Sequence, residues 1–510
     1  MNIRLKTARN IGSNWLGLGV NIVVGFFLSP YILHRLGDTG FGLWVLIFSF
    51  TGYYGLFDLG IRSSIIRHVA KYRATGEPER IQQVINTALF GYSCFAAVLL
   101  GITVVASANT QRLFRPSAGF SHQAELLVLI VGSCVALGLP MTVFAGTLQG
   151  LQEFHWVNLN EIASTLMRAL LIVIALSKGY GLLTVASLTA GFPLMASFLH
   201  FLVVRRKLRL RLTWAAVDRT VYRELIGFGV VTFLILVAER LRFQTDALVV
   251  GAILGPAMVT RFAIGSKLVD YAMNMVDSMA EPFMPLSSGL DANRDLGRLQ
   301  MLFVAGNRAC AFVIFPVCLT LILLGKSVIA VWVGAQYILP AYFVLVLLVI
   351  PRTLYRAQGA STRILFGMAR HQLLAAVLLT EGIVNLALSI VLTRRYGVVG
   401  NAVGTAVPLM FTALIFLPYH LSRQLDVPLG RFLKQAYAVP ALLCIPLAAT
   451  LLVMRQVVEA RHYWELLLQV LAGVAVYGAG LGWFFVKYER LGTGLRVKLT
   501  GAVLRLAGRA

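Results

Sequence analysis

The sequence predicts an all-α integral membrane protein of about 14 transmembrane helices, set out as two parallel-repeat six-helix lobes plus two C-terminal helices. Three observations predict it. Of 510 residues, 58% are hydrophobic and only 13% charged, where a soluble chain carries about 25% charged residues. With a mean hydropathy of +0.79, the bilayer is the solvent. The apolar residues fall in runs long enough to cross a hydrocarbon core, and turn landmarks recur along the chain at a near-constant offset.

In chain order the apolar runs lie at 11–34, 40–69, 83–108, 123–149, 155–177, 181–204, 222–253, 257–287, 300–324, 338–367, 372–393, 398–421, 432–454 and 463–487. The first exceeds the about 7–15 residues of a signal-peptide core and lacks an obvious cleavage site, so it counts as a span. Runs this long, without period-two alternation, are helices and not barrel strands. Lys and Arg gather in alternate connections: the N-terminus (Arg4, Lys6, Arg9), the turn with Lys71, Arg73 and Arg80, the stretch from Arg205 to Arg223, and the tail from Lys487 to Arg509. The positive-inside rule then makes both termini cytoplasmic, in agreement with an even number of spans. The net charge of +24, from 45 Lys and Arg against 21 Asp and Glu, fits anionic lipid faces and an anionic substrate. Arg205-Arg206-Lys207-Leu208-Arg209-Leu210-Arg211 reads as a solvated face on anionic lipid, not a nucleic-acid patch, because it sits between two spans.

That stretch also separates two similar halves. Leu36-Gly37 recurs as Leu254-Gly255, Gly150 as Gly367, and Tyr180-Gly181 as Tyr396-Gly397, at offsets of 218, 217 and 216 residues, each beside a turn. Three ordered matches argue for a duplicated six-helix unit. Six spans is an even number, so both copies enter from the same side, and the substrate path runs between them. The expected organisation is an N-lobe at 1–210, a C-lobe at 211–425, and spans 13 and 14 with a basic cytoplasmic tail at 426–510.

Charges inside spans cost roughly 2.5–3.5 kcal/mol each near the bilayer centre, so they cannot all face lipid. Span 8 carries Lys267, Asp270, Asn274, Asp277 and Glu281 at alternating steps of three and four, one polar stripe on an apolar helix. In span 7, Glu239, Arg242 and Asp246 share a face. Span 2 carries Asp58 and Arg62, with Arg67 near its end; span 5 carries Glu161, Thr165 and Arg168; span 10 carries Arg352, Arg356 and Arg363. Asp58–Arg62 and Glu161–Arg168 read equally as helix-locking salt bridges or as cavity lining. Arg67, Glu281 and Arg363 lie near span ends, where such residues snorkel. Arg352 and Arg356 have no acid on their own helix, so they need either a partner from another span or a passing anion, and Arg suits a diphosphate. Pro30, Pro140, Pro282, Pro285, Pro316 and Pro351 are candidate discontinuities.

Other chemistries lack their residues. The five cysteines, Cys94, Cys134, Cys310, Cys318 and Cys444, sit unpaired in apolar runs, and no two of the eight histidines stand at metal-ligand spacing, so no metal site is expected. Gly325-Lys326-Ser327 lacks the first glycine of a phosphate-binding loop, and Gly478-Ala479-Gly480 is no dinucleotide fingerprint. No connection is long enough to hold a catalytic domain with paired acids. Enzyme is the losing class.

Gly55-Leu56-Phe57-Asp58-Leu59-Gly60-Ile61, with Arg67, Val69-Ala70, Pro30-Tyr31 and Leu36-Gly37-Asp38-Thr39-Gly40-Phe41-Gly42, resembles the N-terminal signature of polysaccharide transporters in the multidrug/oligosaccharidyl-lipid/polysaccharide (MOP) superfamily. Asp246-Ala247-Leu248-Val249-Val250-Gly251 and Leu254-Gly255 support it in the second half. The resemblance implies a Wzx-type flippase, related to lipid II flippases and MATE exporters. Such a protein moves a polyprenyl-diphosphate-linked oligosaccharide across a bacterial inner membrane by alternating access, for O-antigen, exopolysaccharide or capsule export. Polysaccharide polymerase and glycosyltransferases are its expected partners, and nucleic acid is not. It implies, as residues of the diphosphate and glycan cavity, Arg62, Arg168, Arg240, Arg242, Lys267, Arg352 and Arg356. Asp58, Glu239, Asp246, Asp270 and Asp277 are candidates for a coupling H⁺ or Na⁺, with no other cofactor expected. The rival readings are a MATE-like drug antiporter, which should carry more midplane acid than arginine, and a membrane scaffold or glycan-assembly enzyme.

Overall fold

The computed structural model describes residues 3–116, 118–213, 217–227 and 230–491, and among them the chain is helical almost throughout, with no strand. The basic tail beyond Leu491 and the side chains of Arg4, Lys6 and Arg9 lie outside the described residues. The first half runs α1 (Ile3–Gly52), a 3₁₀ turn (Tyr53–Asp58), α2 (Ile61–Thr75), α3 (Pro78–Ala108), α4 (Thr110–Phe114), α5 (Ser121–Gly150), α6 (Phe154–Ser177) and α7 (Leu182–Leu208). After α8 (Arg219–Gly227), the second half runs α9 (Val230–Phe243), α10 (Thr245–Leu254), α11 (Pro256–Ala280), α12 (Phe283–Ala292), α13 (Leu296–Trp332), α14 (Ile338–Arg356), α15 (Gly359–Gly367) and α16 (Gln372–Phe411). A π turn (Thr412–Phe416) leads into α17 (Leu417–Gln424), and α18 (Leu429–Val457) and α19 (Tyr463–Leu491) complete the chain.

Ten helical stretches are long and apolar enough to cross a membrane. Two of them, Leu16–Asp58 and Gln372–Gln424, are 43 and 53 residues long, and each covers two of the runs read from the sequence. Non-helical glycines, Gly37 in α1 and Gly397 in α16, divide them. The runs at 222–253 and 257–287 are the other two, and they are missing from the ten because the first is broken into short helices and the second is rich in charge. Every predicted run therefore has its helical counterpart.

The duplication is written into the backbone. Left-handed residues pair as Gly37 with Gly255, Gly76 with Arg294, Arg115 with Gly334, Gln152 with Ala369, Gly179 with Gly397, and Arg209 with Asp426. Each pair is 217–219 residues apart. Gly37 (φ 69°, ψ 177°) and Gly255 (φ 88°, ψ 169°) even share one conformation, open only to glycine at no steric cost. Gly150 and Gly367 are matched by close approach: a Cβ would lie 2.8 Å from Val69 on α2 and 2.0 Å from Ser287 on α12, respectively. The Tyr180-Gly181 match fares differently, since Gly181 is extended (φ −96°) and the true counterpart of Gly397 is Gly179.

Prolines are not where the chain breaks. Pro30, Pro140, Pro316 and Pro351 ride inside helices, and Pro285 inside α12; only Pro282 stands at a break, as the residue capping α12. Neighbouring helices satisfy a carbonyl freed by proline, whereas a positive φ ends the helical ladder outright.

Two compact units divide the chain, one of Arg9–Ile264 with Gln372–Pro408, the other of Met1–Ala8, Gly265–His371 and Leu409–Ala510. In the first, Ile65 and Val69 of α2, Val84 and Tyr92 of α3, Val143 and Leu148 of α5, and Leu225 of α8 form one core. In the second, Leu324, Leu447, Leu451 and Tyr477 join α13, α18 and α19, and Phe303 stacks on Phe432 with ring centroids 4.1 Å apart.

Candidate functional site

Among the described residues, two left-handed ones have no partner in the other half: Leu59 (φ 48°) and Gly60 (φ 77°). They break span 2 between the 3₁₀ turn and α2. In the second half the chain stays helical through Asp277 and turns only at Glu281–Pro282, about one helical turn further on. A left-handed leucine costs roughly 1–2 kcal/mol, which marks this break as a built feature.

Polar side chains gather around it. Asp58 accepts hydrogen bonds from the Tyr92 hydroxyl and, at 3.4 Å, from the backbone N–H of Arg62. The Arg62 guanidinium instead donates to Gln149 Oε1 at 3.4 Å. Asp58 and Arg62 therefore form no side-chain ion pair, and neither do Glu161 and Arg168, among the described residues. Arg240 lies against the 3₁₀ turn, with Nη2 only 3.1 Å from where a Cβ on Gly55 would stand. The Tyr53 hydroxyl ties the same turn to the Arg240 carbonyl at 3.3 Å and to Thr245. Arg62 and Arg240 thus flank the broken turn, both half-buried, and neither makes an ion pair among the described residues. Arg168 is half-buried on α6, one turn from Thr165, which bonds Asn21 at 3.1 Å.

A second cluster in the same unit is fully buried. Arg242, 1% exposed, pairs with Glu381 of α16. Asn385 donates to the Arg242 carbonyl at 3.1 Å; Thr405 donates to Asp246 at 2.7 Å and meets Asn385 Oδ1 at 3.1 Å. Glu239, by contrast, is exposed. The expectation that Glu239, Arg242 and Asp246 act as one face fails because the helix breaks at Gln244, which puts Asp246 in α10. The expectation of Arg242 as a substrate contact needs the same correction, since its charge is enclosed with a carboxylate.

The other unit holds the polar stripe of α11 against α14. Arg352 pairs with Asp270, and Arg356 Nη1 lies 2.7 Å from Asp277 Oδ1. Of the two alternatives open for these arginines, the partner from another span is the one found. Asp270 and Asp277, read as coupling-ion candidates, are those partners. Lys267 is half-buried beside Asp270 on the same stripe.

Sequence reading missed Glu381, Asn385 and Thr405. The signal existed: Glu381, Asn385, Ser389 and Thr393 step by four along α16, the same kind of stripe as in α11, but mostly uncharged. Tyr92 and Gln149 stand alone in apolar helices and gave no signal.

Residues 7–289 match the family described as polysaccharide biosynthesis protein, more than half of the chain. The chain belongs to this family. A Shigella flexneri protein named "Putative O-antigen transporter" is 20% identical over 420 residues, 81% of this chain and 97% of that one. Among solved structures, the lipid II flippase MurJ in an inward closed conformation matches with a TM-score of 0.70 at 16% identity, covering 95% of this chain and 99% of MurJ. An inward-facing MATE multidrug resistance transporter of the MOP superfamily matches at 0.62 and 15% identity, covering 81% and 95%. These likenesses establish the MOP fold that the N-terminal motifs implied. With ten helical stretches long and apolar enough to cross a membrane, the chain is a multi-pass membrane protein.

Proposed function

We propose that the protein is a flippase for a polyprenyl-diphosphate-linked oligosaccharide, working by alternating access in a bacterial inner membrane with both termini cytoplasmic. The observation that carries this reading is the pair Arg62 and Arg240 at the break in span 2, half-buried cations that make no ion pair among the described residues. Guanidinium groups stay charged and take phosphate oxygens two at a time, which suits a diphosphate. The broken turn adds backbone N–H groups that continuous helix would have used internally. The polyprenyl tail stays in lipid while the headgroup crosses, and the duplicated halves, 1–210 and 211–425, are the parts that move. Asp58, held by Tyr92 beside Arg62, and Asp246, held by Thr405, are the places for a coupling H⁺ or Na⁺, whose binding shifts the equilibrium between the two faces. The family membership and the O-antigen relative support the cargo class.

The test is translocation of a fluorescent lipid-linked oligosaccharide by purified protein in proteoliposomes. Arg62→Ala and Arg240→Ala should each slow it about 10–100-fold, the loss of one charge-assisted contact to a desolvated anion, while Arg62→Lys keeps part of the rate. Unchanged rates in both alanine variants would overturn the reading. Flipping that persists in de-energised vesicles removes the coupling alone.

A further inference from the structure

We infer that His200 is a further headgroup contact, an imidazole whose Nδ1–H donates to the diphosphate held at Arg62. The inference rests on the flippase reading and adds to it a residue from α7. Every side chain it uses lies within the unit of Arg9–Ile264 with Gln372–Pro408.

Its basis is what Asn160 of α6 does to the ring. The Asn160 amide nitrogen donates to the Ala196 carbonyl at 2.6 Å and lies 2.9 Å from His200 Nε2. That carbonyl fixes which way the amide faces, since the amide oxygen in the same place would meet another oxygen. The second N–H of Asn160 therefore goes to Nε2, which accepts it, and a neutral imidazole then carries its proton on Nδ1. In two other helical histidines Nδ1 has a partner four residues back: the Pro30 carbonyl is 2.8 Å from His34 Nδ1, and the Ser64 carbonyl 2.8 Å from His68 Nδ1. For His200 the equivalent carbonyl is that of Ala196. Its two lone pairs are taken by the helix's own N–H and by Asn160. His200 is 6% exposed, and its Nδ1 has no hydrogen-bond partner among the described residues. A buried donor kept in this state calls for an acceptor that arrives from outside.

The surroundings point to that acceptor. Helices α2 and α7 both pack on α5. Arg62 lies along α5 at Gly146, where a Cβ would stand 3.6 Å from its Cγ, and its guanidinium reaches Gln149. Phe144 of α5 meets Phe201, the neighbour of His200, with ring centroids 4.9 Å apart. The guanidinium comes close enough to His200 to act on it electrostatically. A cationic ligand is repelled by Arg62 and finds only a proton-bearing nitrogen, whereas a phosphate oxygen drawn to Arg62 accepts from it. The arginine gives attraction and the neutral N–H gives direction. The pair is also confined to the half that carries the broken turn. At the 217- and 218-residue offsets of the neighbouring turns, Asn160 corresponds to Val377 or Leu378 and His200 to Leu417 or Pro418.

A sugar hydroxyl would accept the same proton, so the deciding probe carries no sugar. The experiment measures binding of undecaprenyl diphosphate, and separately of the lipid-linked oligosaccharide, to full-length protein in nanodiscs. His200→Gln puts a terminal amide where Nε2 stood, within reach of Asn160, and leaves no donor at Nδ1; His200→Asn does the reverse. Asn160→Ala releases the Ala196 carbonyl, so that Nδ1 turns to it as in His34 and His68. His200→Gln and Asn160→Ala should each weaken binding of the bare diphosphate about tenfold, and His200→Asn should recover most of that loss. An imidazole that only ties α7 to α6 predicts the opposite order, because only the glutamine keeps the tie. Wild-type affinity in His200→Gln, or equal losses in His200→Gln and His200→Asn, would overturn the contact. A loss seen with the oligosaccharide lipid alone would overturn it too, by giving the donor to a sugar. Wild-type protein that binds neither probe would remove the flippase reading itself, and the contact with it.

Discussion

Arg242 and Glu381 show what a buried charge in this protein depends on. Both are almost fully enclosed, 1% and 4% exposed at the side chain, and the attraction between them offsets a desolvation penalty of several kcal/mol per ion. Removing one partner leaves the other uncompensated. Glu381→Ala should therefore destabilise the protein by about 3–5 kcal/mol, and the double change Arg242→Met with Glu381→Leu should recover most of it, read as the thermal unfolding midpoint in detergent. If the single and double variants unfold together, the pair does not lock α9 to α16. Residues of this kind were half legible. The sequence displayed Arg352 and Arg356 as charges with nothing on their own helix to balance them, and Arg242 on one face with Glu239 and Asp246, but the acids that pair with Arg242, Arg352 and Arg356 lie 139, 82 and 79 positions away in sequence. Spacing along one helix cannot report a partner on another, so cations in ion pairs and cations at the break looked alike.

At the scale of elements, hydropathy located every spanning segment, because the lipid requirement acts on about 20 residues at a time and averages over detail. Breaks are local and were harder to read. Gly60 is an ordinary candidate for a left-handed position, while Leu59 beside it is not. Proline drew attention that belonged to glycine. The connection between the halves was also underread, as a basic stretch on lipid. Arg205, Arg206, Lys207, Arg209 and Arg211 are indeed exposed, yet the chain after them is pinned to the protein. Asn86 bonds both the Arg211 carbonyl (3.1 Å) and the Thr213 N–H (3.0 Å), Thr87 accepts from the Asp218 N–H (3.0 Å), and Ser64 donates to the Leu225 carbonyl (3.0 Å). Asp218 caps α8, accepting from the N–H groups of Thr220 (2.7 Å) and Val221 (3.2 Å). The Val221 and Thr220 N–H groups, with Arg80 nearby, hold its carboxyl below the usual carboxylate range. A depressed folded value means that the cap stabilises fully above the unfolded value of about 3.9 and fades as pH falls through the lower folded one. Hydrogen-exchange protection of residues 219–227 should thus decline below about pH 4 in the wild type. In Asp218→Asn, which keeps a capping oxygen but no titrating group, it should not. Identical pH profiles for the two proteins would remove Asp218 as the cause.

For the whole molecule, the paired left-handed residues turn the duplication into a statement about topology. Thr75 and Asn293 stand one residue before Gly76 and Arg294, one such pair, and Arg115 and Gly334 form another. If each copy begins on the same side of the membrane, equivalent turns must emerge on the same side; an inverted repeat would put them on opposite sides. The excess of Lys and Arg near the first pair predicts a cytoplasmic position for it. All five native cysteines lie within helices, so a cysteine-free background is the starting point. In it, Thr75→Cys and Asn293→Cys should react with a membrane-impermeant maleimide only after cells are permeabilised. Arg115→Cys and Ala335→Cys should react in intact cells. Labelling that separates Thr75→Cys from Asn293→Cys would refute the parallel repeat whatever the orientation. Labelling that keeps the pairs together but exchanges their sides would keep the repeat and reverse the termini, and with them the leaflet from which the proposed lipid-linked cargo would first meet Arg62 and Arg240.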